Sequence, residues 1–546
     1  MSLRPAYVLG GLVVVQWLAL LALVASIRHN GWLFYQGGDE TFYYSAGWGI
    51  SRGHLPQTSV GYGWTLLLAP VALFAGPSYL AALPAVVLVQ VLVLLPLALL
   101  FAYGIGERIA GRWLGYVCAV GFLVAPYLVI PGFEHRYHEQ WVEQFLPQAL
   151  GMTGLSDFFA MVATMGAAWL FLRALDWRGT GDAVLAGLLA GLSIGIKPAD
   201  ALFLGGVILA LLVVRDWRLS AFYAAGIVAP LVTLAVWKER GLGHIPVLGL
   251  TLVRVGASVL PPLGISVPSS INLDWGQLGN NMAQFREFFW SMRLVEILPF
   301  AGLAAVWRVS GTKALFLGGW LAAFVVVKGT SHRGSVQDGT FFRLLMPAWP
   351  AYLVLACALP LLVPGVAQRV KQQVAAVRPI LLRSRPVVAT GALIGVAPLL
   401  VVAALPTLKD RSIVSEFTNN VIVPVAGDFD VRARLVHGRA ELSWRRPAAA
   451  RGDVFYRVYR SQIAGGAPIG GVVDYVDGIA CQPPSRAAAD CQLLMDPVTV
   501  TPSRTFAEQA QPGWRTYRVG LMANWLDDPT RGDVLMISKP VRVKSH

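Results

Sequence analysis

The chain has 546 residues, of which 56% are hydrophobic and only 14% charged, against about 25% charged in an average soluble protein. Several uninterrupted apolar runs exceed the ~20 residues that cross a bilayer, which excludes a soluble globular protein. The net charge of +14 falls largely in loops between those runs, where it reads as the positive-inside bias of a polytopic membrane protein and not as a nucleic-acid surface.

The first apolar run, 7–27, carries no charge and no small-residue cleavage pattern, so it reads as a retained span. The stretch 37–63, GGDETFYYSAGWGISRGHLPQTSVGYG, follows it and reads as a loop with the acidic pair Asp39-Glu40 near its start. Charge-free runs predict about eleven spans by the ~20-residue rule. They are 7–27, 79–106, 113–130, 158–172, 183–196, 201–214, 219–237, 294–307, 314–327, 344–362 and 386–408. Arg108/Arg112, Arg173/Arg178, Arg215/Arg218, Arg308/Lys313 and the basic stretch with Arg369, Lys371, Arg378, Arg383 and Arg385 then fall on one side. The positive-inside rule makes that side cytoplasmic. The loops around Asp39, 134–148, 238–293 and 328–343, and everything after 408, are then extracytoplasmic, and the protein is expected in the plasma membrane.

Two consecutive spans, 183–196 and 201–214, are short. At 1.5 Å per residue such helices fall well short of a ~30 Å hydrocarbon core. Their junction, Lys197-Pro198-Ala199-Asp200, should therefore lie below the outer surface, where an ionisable group marks a functional site. The plainer alternative is that Lys197 and Asp200 pair with each other to close the turn. The segment 241–273, with Pro261-Pro262 and Pro268, is apolar but too rich in Gly and Pro for a regular span; it either lines a groove or packs on protein.

After residue 408 the composition becomes that of a soluble domain. Stretches such as ARLVHGRAELSW, VFYRVYRSQ and TYRVGLMANW alternate apolar and polar residues between turns, as strands of a β-sandwich do. The expected division is a membrane domain over 1–408, a linker over 409–427 and a β-domain over 428–546. Cys118 and Cys357 fall in apolar spans, whereas Cys481 and Cys491 lie a short loop apart in the β-region. If that region is extracytoplasmic, Cys481 and Cys491 form a disulfide.

Three outer loops carry polar chemistry. Asp39 or Glu40 can act as a general base toward a hydroxyl, or can simply cap a following helix. The loop FEHRYHEQWVEQFLPQ gathers Glu134, His135, Arg136, His138, Glu139 and Glu143. The positions of His135, His138 and Glu139 suit a helical metal face, so a divalent metal is one possibility and substrate contact by Glu134, His138 and Glu139 another; an interfacial helix with its polar face in water is the third. The loop KGTSHRGSVQDGTFFRLLMPAWP carries Lys328, His332, Arg333 and Arg343, cations suited to a lipid phosphate. Snorkelling explains a single such Arg, but not a set of cations on the side that the charge bias disfavours.

Four features together resemble the glycosyltransferase-C superfamily, integral-membrane transferases that use polyprenyl-phosphate sugars. They are a first span followed by Asp39-Glu40, the run GYGWTLLLAPVALFAGPS with GERIAGRWLGYVCAVGFLVAP, the turn GLSIGIKPAD, and FFRLLMPAWPAYLV before a late span. The resemblance covers most of 39–352. It implies an inverting transfer of a sugar to an extracytoplasmic hydroxyl, with Asp39 (or Glu40) as base. By position it implies Arg343, Lys197 and His332 or Arg333 on the phosphate, Glu139 or Glu134 and His138 on the acceptor or a metal, and Tyr62 as a further substrate contact. The family's second-loop motif is not cleanly matched here. The pattern LSW, FYRVYRS, YVD, WRTYRVGLMAN, SKPVRV resembles a fibronectin type III domain over 428–543, apart from the Cys481–Cys491 insertion. Such β-domains point to a cell-envelope glycan as acceptor; a protein hydroxyl remains an alternative. A transporter or flippase of a lipid-linked glycan would instead call for internal repeats, and a membrane scaffold displaying the β-domain would leave Asp39 dispensable.

Overall fold

The computed structural model describes residues 5–26, 39–56, 58, 60–76, 79–129, 147–242, 273–288, 292–337, 340–375, 385–407, 425–448, 450, 454–461, 472–473, 475–476, 479–480, 494–510, 513–522 and 534–545. Glu134, His138, Glu139, Cys481, Cys491, nearly all of the 241–273 segment and most of the expected linker lie outside the described residues.

The helices are α1 (Pro5–Ser26), α2 (Asp39–Ser51), α3 (Tyr62–Ala75), α4 (Tyr79–Val89), α5 (Leu95–Ala110), α6 (Arg112–Val129), α7 (Pro147–Leu150), α8 (Asp157–Trp177), α9 (Thr180–Ile196), α10 (Leu204–Val214) and α11 (Trp217–Leu242). They continue with α12 (Trp275–Phe288), α13 (Met292–Trp307), α14 (Gly311–Gly329), α15 (Thr340–Leu345), α16 (Trp349–Cys357), α17 (Pro364–Ala375) and α18 (Arg385–Ala404). Among the described residues, 6 helices are long and apolar enough to cross a membrane, and shorter apolar helices accompany them. The chain is a multi-pass membrane protein. Two expectations are corrected. The stretch taken as a loop over 37–63 contains the helix α2, and 62–75, which was not among the expected spans, is an apolar helix.

The chain forms two units, 1–27 with 59–66 and 88–405, and 28–58 with 67–87 and 406–546. In the first, α9 packs between α8 and α11, α5 packs on α6, α10 on α14 and α13 on α16. A Cβ on Gly187 would come within 2.0 Å of the Tyr223 carbonyl, and one on Gly226 within 2.0 Å of the Val184 carbonyl. Backbone-to-backbone approach through small residues is how helices associate where lipid removes the hydrophobic drive. Loop cations expected to share one side do meet. Lys313 Nζ donates to the Arg108 carbonyl and pairs with Asp176 at 2.6 Å, while Arg108 and Arg173 both lie over the Trp177 ring. Arg240 donates to the carbonyls of Val402, Ala403 and Leu405, and so closes the C-terminal end of α18.

In the second unit, Leu55 N donates to the Pro406 carbonyl at 2.8 Å. The strands are β1 (Val425–Ala426), β2 (Arg432–Val436), β3 (Arg439–Ser443), β4 (Tyr456–Ser461), β5 (Val472–Val473), β6 (Tyr475–Val476), β7 (Ile479–Ala480), β8 (Leu494–Thr501), β9 (Thr505–Gln509), β10 (Gly513–Met522), β11 (Val534–Ile537) and β12 (Val541–Ser545). A 3-stranded sheet runs β2-β3-β9, and a 7-stranded sheet runs β1-β11-β10-β4-β8-β5 with β12 also on β10. Alternate residues of both sheets, among them Leu442, Tyr456, Val458, Tyr517, Val519 and Val543, bury into one shared core beside Trp444. This is the expected all-β sandwich, produced by the period-2 pattern.

Candidate functional site

Lys197 stands where two helices break. Pro198 disfavours helical backbone in the residue before it, and Lys197 is extended, with φ −134° and ψ 102°. α9 therefore stops at Ile196, a 3₁₀ turn covers Pro198–Phe203, and α10 follows. The turn closes through its backbone, Asp200 N donating to the Lys197 carbonyl at 2.8 Å. Residues 61 and 62 press on the end of α9: a Cβ on Gly61 would lie 2.2 Å from the Ile196 carbonyl, and one on Gly195 2.5 Å from the Tyr62 ring.

Lys197 and Asp200 do not pair side chain to side chain. Lys197 Nζ instead binds Asp157 Oδ1, and Arg343 Nε binds Asp157 Oδ2 at 3.2 Å. Asp157 is the first residue of α8, Arg343 belongs to α15, and the carboxylate is 1% exposed. Among the described residues this carboxylate bridges the two cations. The Asp200 carboxylate accepts from the Ser193 and Thr164 hydroxyls, while its Oδ1 is buried without a hydrogen-bond partner among the described residues. Asp200 lies within electrostatic reach of Lys197 and Asp157. Half-buried Lys328, at the end of α14, lies within reach of Lys197, Asp200 and Arg333. Its ammonium forms no ion pair with a carboxylate among the described residues.

The structure thus joins Lys197 to Arg343, with Lys328 close by, as one cationic centre. His332 instead faces Asp274 at 3.4 Å, and Arg333 is exposed. Tyr62 is fully buried, with its hydroxyl donating to the Pro230 carbonyl at 3.3 Å and its ring against Gly195. Sequence reasoning missed Asp157. It sits 40 residues from Lys197 and 186 from Arg343, and a lone acid heading a span looks like an ordinary helix-start residue. Its one signal was that it opens an apolar run with no other charge before Arg173.

In the other unit the acidic pair divides. Asp39 is exposed in the first turn of α2, whereas Glu40 is fully buried and accepts the Tyr79 hydroxyl. Tyr44 stacks obliquely on Tyr79, with centroids 5.5 Å apart, and donates to the Gly76 carbonyl at 2.6 Å. Burial raises the Tyr44 phenol well above its usual range, so it stays a neutral donor. Among the described residues no group of His, Cys, Asp and Glu is arranged to hold a metal ion.

No family model and no curated protein matches the chain. Among solved structures it is similar to ArnT from Cupriavidus metallidurans in the apo state, at 16% identity and TM-score 0.42, over 78% of this chain and 83% of that one. It is also similar to the apo oligosaccharyltransferase of Archaeoglobus fulgidus, at 14% identity and TM-score 0.42, over 76% of this chain and 58% of that one. A further likeness is to the same ArnT bound to undecaprenyl phosphate, at 16% identity and TM-score 0.37, over 77% of this chain and 82% of that one. Likenesses this slight carry no function across to this chain.

Proposed function

We propose that the protein is a membrane glycosyltransferase that moves a sugar from a polyprenyl-phosphate donor to an extracytoplasmic hydroxyl, most simply on a cell-envelope glycan. The observation that carries this reading is the cationic centre of Lys197, Arg343 and Lys328 at the break between α9 and α10. Partly buried cations inside a membrane protein suit a phosphate that arrives on a lipid. The motifs that resemble glycosyltransferase-C enzymes contribute Lys197 and Arg343 independently of that geometry.

In the proposed reaction the exposed carboxylate of Asp39 takes the proton of the acceptor hydroxyl. The oxygen attacks the anomeric carbon, the bond from that carbon to the phosphate oxygen breaks, and the electron pair leaves with the polyprenyl phosphate. Arg343 and Lys197 stabilise the negative charge that builds on the departing oxygen. Glu40, held by Tyr79, orients α2 and does not act as the base. Glu134, His138 and Glu139 remain proposed contacts for the acceptor or a divalent metal, and Cys481–Cys491 a proposed disulfide of the sandwich.

The test is sugar transfer in proteoliposomes from a panel of synthetic polyprenyl-phosphate sugars. Turnover of one donor, lost in Asp39→Asn with donor binding kept, is the expected result. Absence of binding and of turnover for every donor would reject the reading in favour of a scaffold. Donor that crosses the bilayer unreacted would indicate a flippase.

A further inference from the structure

We propose that Asp157 is a built-in rival to the phosphate: it holds Lys197 and Arg343 together before the donor arrives and afterwards hastens departure of the phosphate product. The inference rests on reading Lys197 and Arg343 as the phosphate-binding cations.

Each Asp157 oxygen is taken by a different cation, Oδ1 by Lys197 Nζ and Oδ2 by Arg343 Nε at 3.2 Å. The three residues come from the start of α8, the break after α9 and the body of α15. The carboxylate is 1% exposed, whereas Lys197 and Arg343 are 14% and 23% exposed. An incoming anion therefore meets the cations first, with Asp157 behind them. Two cations in so dry a place need a counter-ion, and the Asp157 carboxylate supplies one to both. A phosphate brings more acceptor oxygens and replaces that role.

The charge of the ligand changes during the reaction. A donor phosphodiester carries a single negative charge, whereas the released monoester carries about −1.5 to −2 near pH 7. Repulsion from a fixed carboxylate grows with the charge on the ligand. Asp157, with Asp200 adding to it when ionised, therefore weakens the product's hold more than the donor's. The same residue that keeps the empty site assembled also keeps the leaving lipid from staying in it.

The experiment uses the full chain in lipid nanodiscs, with undecaprenyl phosphate and undecaprenol as probes. Wild type, Asp157→Asn, Asp157→Ser and Lys197→Ala are compared by equilibrium binding and by the rise in melting temperature that each probe causes. Asp157→Asn is expected to bind undecaprenyl phosphate about tenfold tighter or more, because one like charge is gone. It should also be stabilised by that lipid more than wild type is. In steady-state transfer its kcat should fall while the KM for donor falls or holds. A purely structural Asp157 would give the opposite, with weaker binding and a raised KM, and would overturn the proposal. So would failure of both Asp157 variants to fold even with the lipid present, since the proposal requires phosphate to replace the carboxylate. Failure of the underlying phosphate reading looks different: wild type and Lys197→Ala would then bind undecaprenyl phosphate no better than undecaprenol.

Discussion

Asp39 and Glu40 are adjacent in sequence and opposite in surroundings, one exposed in the first turn of α2 and the other fully buried against the Tyr79 hydroxyl. A base must reach its proton, so the account assigns the chemistry to Asp39. Asp39→Asn should lower transfer by about 10²-fold or more while donor affinity is unchanged, as single-turnover assays and lipid binding would measure. Tyr79→Phe removes a buried donor to a buried carboxylate and should cost about 1–3 kcal/mol of stability, read from thermal unfolding in detergent, with a smaller effect on chemistry. The sequence alone left the two acids equivalent because nothing local distinguishes them. What separates them is Tyr79, 39 residues further along. Lys197 and Arg343 were legible for a different reason: charges at the ends of apolar spans are costly and so conspicuous. Asp157 carries the same cost, but at the first position of α8 it was indistinguishable from a residue that merely complements the helix dipole.

At the scale of elements, the break after α9 is written in two letters, Lys197-Pro198. Pro198→Ala lifts the steric restriction on Lys197 and lets α9 wind on. The expected outcome is a protein that still folds but binds polyprenyl phosphate more weakly, because the ammonium is turned away from Asp157 and Arg343. The α9–α11 contact gives a separate expectation. Gly187→Ala or Gly226→Ala would place a methyl 2.0 Å from a carbonyl oxygen of the facing helix. The helices would have to part, at a cost of about 1–3 kcal/mol in thermal unfolding. The expected short spans 183–196 and 201–214 were correct about the break; the packing, with α9 between α8 and α11 and α10 on α14, comes from the structure alone. Hydropathy sees where a helix ends and not which neighbour it chooses. It also missed α2, whose Gly47, Gly49 and aromatic residues read as a loop, although α2 buries Tyr43, Tyr44 and Trp48.

Over the whole molecule, the apolar helices and the β-sandwich were each plain in composition, because the two solvents demand different patterns. The sandwich should fail in alkali. Burial pushes the Tyr459 phenol up to about 12, with Arg457 opposing, against about 10 when unfolded. The stability Tyr459 gives is complete below about pH 10 and is lost as pH rises toward about 12. Near-ultraviolet circular dichroism should show the loss, and Tyr459→Phe should lessen it. The central claim is that the helical part binds a lipid by its phosphate. The most direct measurement is the affinity of the wild-type chain, in nanodiscs, for undecaprenyl phosphate against undecaprenol, repeated with Arg343→Ala. The account predicts that the phosphate lipid binds strongly and the alcohol weakly, and that Arg343→Ala removes most of the difference. Equal affinity for both lipids in the wild type, or a preference untouched by Arg343→Ala, would contradict it.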